Sequence, residues 1–240
     1  MSNDYEYNYE HDDMYCWPNS SVLKNRLNIT DSDELSKAES FLSALAINEM
    51  QEKPIKGNFN LKHLQDIHKY IFKDIYYFAG EIRTVNIAKN DLFCLVQNIS
   101  IYANGIFEDL RKDNYLIKMD TKNVINKLAY YLGEINGLHP FREGNGRTQR
   151  VFIEMLAKVA GYNIDFSQIT KEQMIEASVK SLRGNNIFFE KMFTEIISRI
   201  SREEQKQFTE SIAIKDSRVL KAYKEKSKAS RNKGENDIEL

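Results

Sequence analysis

The chain has 240 residues, 42% of them hydrophobic and 29% charged, and a formal net charge of −1. That is the make-up of a globular protein with material for one large domain, or for one domain and an appendage. It gives no electrostatic support to a nucleic-acid or membrane-surface partner. Two cysteines, Cys16 and Cys94, are too few and too far apart for a disulfide framework or a zinc site. No apolar run reaches the roughly 20 residues of a membrane span. The acidic start lacks the pattern of a secretory signal, so synthesis in a reducing cytoplasm is expected.

Three prolines and ten glycines leave little punctuation, which favours long helices joined by few loops. Residues 1–20 are polar and tyrosine-rich, an arm expected to pack on the domain through Tyr15 and Trp17. Thr30 or Asp31, followed by Glu34, opens a capped helix that should run to about Met50. Leu61, Leu64, Ile67 and Ile71 form one stripe of a second helix; its His63 and His68 have no metal-spaced partner and read as structural. The stretch "EIRTVNIAKNDLFCLV" leaves the helical pattern: Ile82, Thr84, Val85 and Ile87 predict extended chain, residues 89–91 a turn, and Phe93 and Leu95 a return strand. A lone hairpin is marginal by itself and must lean on something.

Helices are expected again over 100–112 and 121–136, the second a core helix with Val124, Leu128, Leu132 and Ile135 on one stripe. Gly137 and Pro140 should end it and place His139 in the following loop. Another helix opens near Asn145 and stops at Gly161, and two more follow over 171–182 and 188–202. The polar remainder suggests one further amphipathic helix and a frayed end. The expected division is an arm at 1–20, a main domain over 21–202 and a helical tail or linker over 203–240. The fold class is all-α, a helical bundle with a short β-hairpin inserted ahead of the helix pair at 121–160.

That pair carries "HPFREGNGRTQR", residues 139–150. At the start of a helix the backbone N–H groups are unpaired and the dipole is positive, and Gly144 and Gly146 permit close approach, so the turn is an anion nest. Arg147 and Arg150, three residues apart, can grip phosphate oxygens. Glu143 supplies a hard oxygen suited to Mg²⁺ beside a polyphosphate, and Asn145 an amide donor. His139, outside the helix, is left to accept a proton from an incoming hydroxyl. Taken singly, the histidine reads as a loop residue, the glycines as helix punctuation and the arginines as a solvated face. Together they describe transfer from a nucleotide, with Phe141 as a hydrophobic anchor of the loop.

The motif resembles that of the Fic family, H-P-F-x-[D/E]-G-N-G-R-x-x-R, at every specified position. "LQDIHKYIFKDIYYFAGEIRTVNIAK", "MYCWPNSSVLKNRLNI" and "MIEASVKSLRGNNIFFEKMF" are similar to other parts of these proteins, so the resemblance covers roughly residues 14–200. It implies a Fic-type bundle that uses ATP and Mg²⁺ to transfer AMP to a Ser, Thr or Tyr hydroxyl of a target protein. His139 would be the base, Glu143 the Mg²⁺ ligand, residues 144–147 the site of the α- and β-phosphates, and Arg150 the partner of the γ-phosphate. The hairpin would be the family's flap, clamping the target by strand addition, with Lys89 and Asn90 near nucleotide or target, or forming only a solvated turn. Gly146 is lysine in the phosphate-transferring Doc-like branch, so glycine favours AMP transfer.

Many members are silenced by a helix with [S/T]-x-x-x-E-[G/N], whose Glu pairs with the second motif arginine. Here Glu precedes Gly or Asn only at Glu143 and Glu235, and neither has Ser or Thr four residues earlier. A separate antitoxin-like protein supplying a Glu to Arg150 is therefore expected. The chain would act as a toxin in the bacterial cytoplasm or as an effector delivered into a host cell. Parts of it resemble host-directed type IV effectors of Bartonella. The alternative is a Fic-fold module that binds nucleotide or partner and transfers nothing, and the nucleobase pocket is not readable from the sequence.

Overall fold

A computed structural model describes residues 8–9, 14–89 and 91–236. In chain order the elements are β1 (Asn8–Tyr9), α1 (Ser32–Glu52), α2 (Leu61–Phe72), β2 (Ile87–Lys89), β3 (Asp91–Leu92), α3 (Ile99–Lys112), α4 (Thr121–Leu138) and α5 (Asn145–Ala160). They continue with β4 (Tyr162–Ile164), α6 (Lys171–Leu182), α7 (Ile187–Ile196), β5 (Ile197–Arg199), α8 (Arg202–Ser211) and α9 (Arg218–Asn236). The class is all-α, with a hairpin ahead of the α4–α5 pair.

Local chemistry sets the helix starts. Asp31 accepts the Glu34 N–H at 2.9 Å to open α1, and Asn60 and Asp120 do the same for α2 and α4. Thr170 and Gln173 close a full capping box on α6. The apolar stripe of α4 is the middle of the molecule: Val124, Leu128, Leu132 and Ile135 are buried, and α3, α5, α6 and α7 pack around it. Burying each such side chain contributes about 1.5–3 kcal/mol before entropy is counted. The helix pair that frames the motif is thus held within the core.

Four features differ from the sequence expectation. α4 runs through Gly137 to Leu138, and the helix is ended by His139 itself, which adopts a left-handed conformation. The hairpin is short, β2 pairing with β3 through Ala88↔Leu92 and Lys89↔Asp91, and β1 from the arm adds a third antiparallel strand to β2. The helix expected over 188–202 stops at Ile196, because Ile197–Arg199 extends to pair with β4. Residues 212–217 divide the chain beyond α7 into α8 and α9, and Ile212, Val219 and Ala222 are buried in the common core. Tyr15 is buried, its hydroxyl 3.2 Å from that of Thr84, and the Trp17 indole N–H donates to Ile29 O at 3.2 Å. Among the described residues no helix is long and apolar enough to cross a membrane.

Candidate active site

His139 caps α4 with φ 42° and ψ 59°, a conformation that costs a non-glycine residue about 1–2 kcal/mol. Its N–H donates to Ile135 O at 3.1 Å. Its ring Nδ1 lies 3.3 Å from Asn136 O. A carbonyl only accepts, so Nδ1 carries the proton and the lone pair belongs to Nε2. The ring stacks on Phe93 at 3.7 Å and 16°. The residue that follows β3 therefore forms one wall of the histidine's position.

The chain then turns into α5. Gly144 is the N-cap at φ 80°, and a Cβ there would lie 2.3 Å from the Phe72 ring. Only glycine fits both conditions. Gly144 has no side chain with which to cap the helix, and the first intrahelical bond is Thr148 N–H to Gly144 O at 3.1 Å. Among the described residues the N–H groups of Asn145, Gly146 and Arg147 have no acceptor. This is the donor-lined terminus that the glycines suggested.

The motif side chains divide into committed and uncommitted groups. Asn145 accepts the Phe141 N–H at 2.9 Å and donates to Phe141 O at 2.7 Å, so its amide closes the loop on itself. Glu143 accepts the Gly144 N–H at 2.8 Å; burial and then neighbouring Glu39 push its carboxyl pKa up. Arg147 leans away from Arg150 towards α1: it pairs with Glu39, donates to the Ser43 hydroxyl at 2.9 Å and lies 3.8 Å from Glu143. Arg150 makes no hydrogen bond or ion pair among the described residues, and burial together with Arg147 makes its charge costly. Lys89 ends β2, and Asn90 lies outside the described residues.

Two openings meet at Arg150. A cleft of about 160 Å³ contains His139, Gly146 and Arg150, with Phe93 on one side and Met174 and Ser178 of α6 on the other. The carboxamide oxygen of Gln149, in its wall, is buried without a hydrogen-bond partner. A larger groove of about 1530 Å³ runs between α1 and α6 past Glu143, Arg147 and Arg150. Glu143 is a single carboxylate beside the uncapped start of α5, a hard-oxygen donor of the kind that suits Mg²⁺ brought with phosphate oxygens. No group of three or more His, Cys, Asp or Glu that could hold a metal occurs among the described residues.

Four residues support the motif loop from outside it, of which sequence reasoning reads only His68 as structural. His68 accepts the Gly80 N–H on Nδ1 at 2.8 Å and donates from Nε2 to Glu143 O at 2.9 Å, while its ring stacks on Phe141. Burial drives its pKa down to about 3, so it is a neutral strut for the motif loop. Glu39, Phe93 and Arg83 are the others. Arg83 carried only a weak signal, a basic residue among Ile82, Val85 and Ile87 of the extended run.

A model of the Fic/DOC family matches residues 58–157. The chain is 37% identical over 198 residues to "Protein adenylyltransferase VbhT" of Bartonella schoenbuchensis, covering 82% of this chain and 40% of that protein. It is 35% identical over 176 residues to "Probable protein adenylyltransferase y4lH" of Sinorhizobium fredii, covering 72% of this chain and 90% of the relative. Among solved structures, the N-terminal Fic domain of a VirB-translocated Bep effector protein of Bartonella quintana, with bound ADP, superposes with a TM-score of 0.73 at 27% identity. That match covers 79% of this chain and 96% of the other.

Proposed function

Because the chain belongs to the Fic/DOC family, we propose that it is a protein adenylyltransferase, moving AMP from ATP to a Ser, Thr or Tyr hydroxyl of a target protein. The observation that carries this is one cleft in which His139 and the unengaged Arg150 flank an uncapped helix terminus. The target oxygen attacks the α-phosphorus, its proton passes to His139 Nε2, and the bond to the bridging oxygen breaks to release pyrophosphate. The N–H groups of residues 145–147 hold the α- and β-phosphates, and Arg150 takes the γ-phosphate, whose charge repays the cost of burying the guanidinium. Asn145 keeps this turn closed and Gly146 keeps it open to the nucleotide. Glu143 would hold Mg²⁺, which neutralises triphosphate charge. Arg147 has donors to spare beyond its α1 partners and faces the same anion. The cleft between Phe93 and α6 takes the nucleobase.

The target strand would add to β3, one of the two outer strands of the order β1-β2-β3, where Leu92 is exposed. Lys89 and Asn90 would then lie beside nucleotide or target. The groove along α1, with Leu35 and Ile47 in its wall and Arg150 at its floor, suits an amphipathic helix bearing a glutamate. That favours a small antitoxin-like partner that silences the enzyme. Synthesis in a bacterial cytoplasm, with action there as a toxin or after delivery into a host cell, fits the same function.

The test is labelling of bacterial and animal-cell lysates by the purified chain with Mg²⁺ and ATP labelled on either the α- or the γ-phosphate. Protein label from α-labelled ATP alone, abolished by His139→Ala, is expected. Label from the γ-phosphate would instead make it a phosphotransferase. Tight ATP binding with no label from either position would leave a nucleotide-binding module.

A further inference from the structure

Arg83 is 1% exposed, yet the three hydrogen bonds of its guanidinium all go to backbone carbonyls. Nε donates to His139 O at 2.8 Å, Nη1 donates to Val85 O at 2.6 Å, and Nη2 donates to Cys94 O. Its own N–H adds a fourth bond, to Pro140 O at 2.9 Å. Val85 precedes β2 and Cys94 follows β3, so the fork holds both legs of the hairpin and the carbonyl of His139 together. Two more bonds close the same junction: Cys94 N–H to Gly137 O at 2.9 Å and Val96 N–H to the Asn86 side chain at 3.0 Å.

We propose that Arg83 is a positioning residue that couples the hairpin to His139, so that a target strand loaded on β3 acts on the alignment of the imidazole. This rests on the adenylyltransferase function argued above. A buried charge satisfied, among the described residues, by carbonyl dipoles is a poor choice for stability, since an apolar side chain would fill the space with less desolvation. Its geometry explains it better. A planar guanidinium carries five N–H groups in fixed directions and can hold three acceptors from three segments at once, which an ammonium on a flexible stem cannot. One acceptor belongs to the residue at φ 42°, a conformation that persists only where its surroundings over-determine it. Phe93, adjoining Cys94, stacks on the ring of the same histidine. Backbone and side chain of His139 are therefore both fixed from the hairpin, and Arg83 joins the two contacts.

The experiment uses the full chain, Arg83→Lys and Arg83→Gln. Only four histidines are present, so the ring resonances of His139 can be assigned by their loss in His139→Ala. In the wild type the Phe93 ring should shift the His139 ring protons upfield. In the variants that shift should collapse and kcat for AMP transfer should fall about 10- to 100-fold, the effect of a misplacement near 1 Å. The ATP dissociation constant, read by calorimetry, should rise by much less than kcat falls, no more than about fivefold, because the turn proposed to hold the phosphates belongs to α5 and only the Phe93 wall of the cleft is disturbed. A lower melting temperature with the His139 shift and kcat intact would reduce Arg83 to a core residue and overturn the proposal. Arg83→Lys keeps the charge and the stem, and decides the matter if Arg83→Gln does not fold. A wild type without transferase activity sinks the enzymatic function, while the ring shift still reports whether Arg83 sets the histidine.

Discussion

Glu39 and Arg147 are separated by 108 residues and meet beside the uncapped start of α5. Their side chains are 13% and 21% exposed, well short of the solvation at which ion pairs contribute only about 0.2–1 kcal/mol. Each also has a second partner, Tyr76 donating to Glu39 and Arg147 donating to Ser43. Burial and then Glu39 push the Tyr76 phenol pKa far up, so it remains a donor at any working pH. Breaking a fully buried pair costs about 3–5 kcal/mol, and the residual exposure reduces this. We therefore expect Glu39→Gln to cost about 2 kcal/mol, and the cycle of Glu39→Gln, Arg147→Gln and the double variant to give a coupling of about 1.5–2.5 kcal/mol. For a chain of this size the single change lowers the melting temperature by about 4–8 °C. The assay is urea unfolding of the four proteins, followed by circular dichroism with a common m value. A coupling below about 0.5 kcal/mol would show the pair to be a surface contact and would refute the claim that α1 holds Arg147.

Helices were legible in the sequence wherever an apolar stripe ran unbroken, as with Leu61, Leu64, Ile67 and Ile71, for which the structure adds the Asn60 cap. They were illegible where three residues decide the matter: Ile197–Arg199 becomes a strand only because Tyr162–Ile164 lies beside it. The motif was recognisable because its residues are local. The nest, its glycines and His139 fall within twelve residues. Its supports are not local: His68 finds Glu143 75 residues away, and Arg83 finds His139 56 residues away. No periodicity encodes such pairings. Arg147 shows the same limit, since helical spacing put its guanidinium with that of Arg150 and α1 drew it elsewhere.

Gly144→Ala adds a Cβ at φ 80° that would lie 2.3 Å from Phe72, and should lower the urea-derived stability by more than about 2 kcal/mol; an unchanged midpoint would mean the turn has another conformation. Gly146→Lys places a Cβ 3.4 Å from the Arg150 guanidinium and extends the chain into the cleft, so ATP affinity should fall at least about tenfold while the fold survives; calorimetry with equal melting curves checks this. Glu154 offers a test by pH. Burial, against the pull of Lys158 and Arg150, raises its pKa from 4.5 to about 7. The folded state then binds more protons than the unfolded one between these values, so its stability is fully present below pH 4.5 and is lost as pH rises through about 7. The loss is bounded by about 3 kcal/mol, less whatever solvent reaches the carboxyl. Glu154→Gln removes the charge and keeps the shape, and should match the wild type near pH 4.5 but melt several degrees higher near pH 8. Parallel melting curves across that range would show that Glu154 ionises freely, and that Arg150 has a countercharge already in place before any triphosphate arrives.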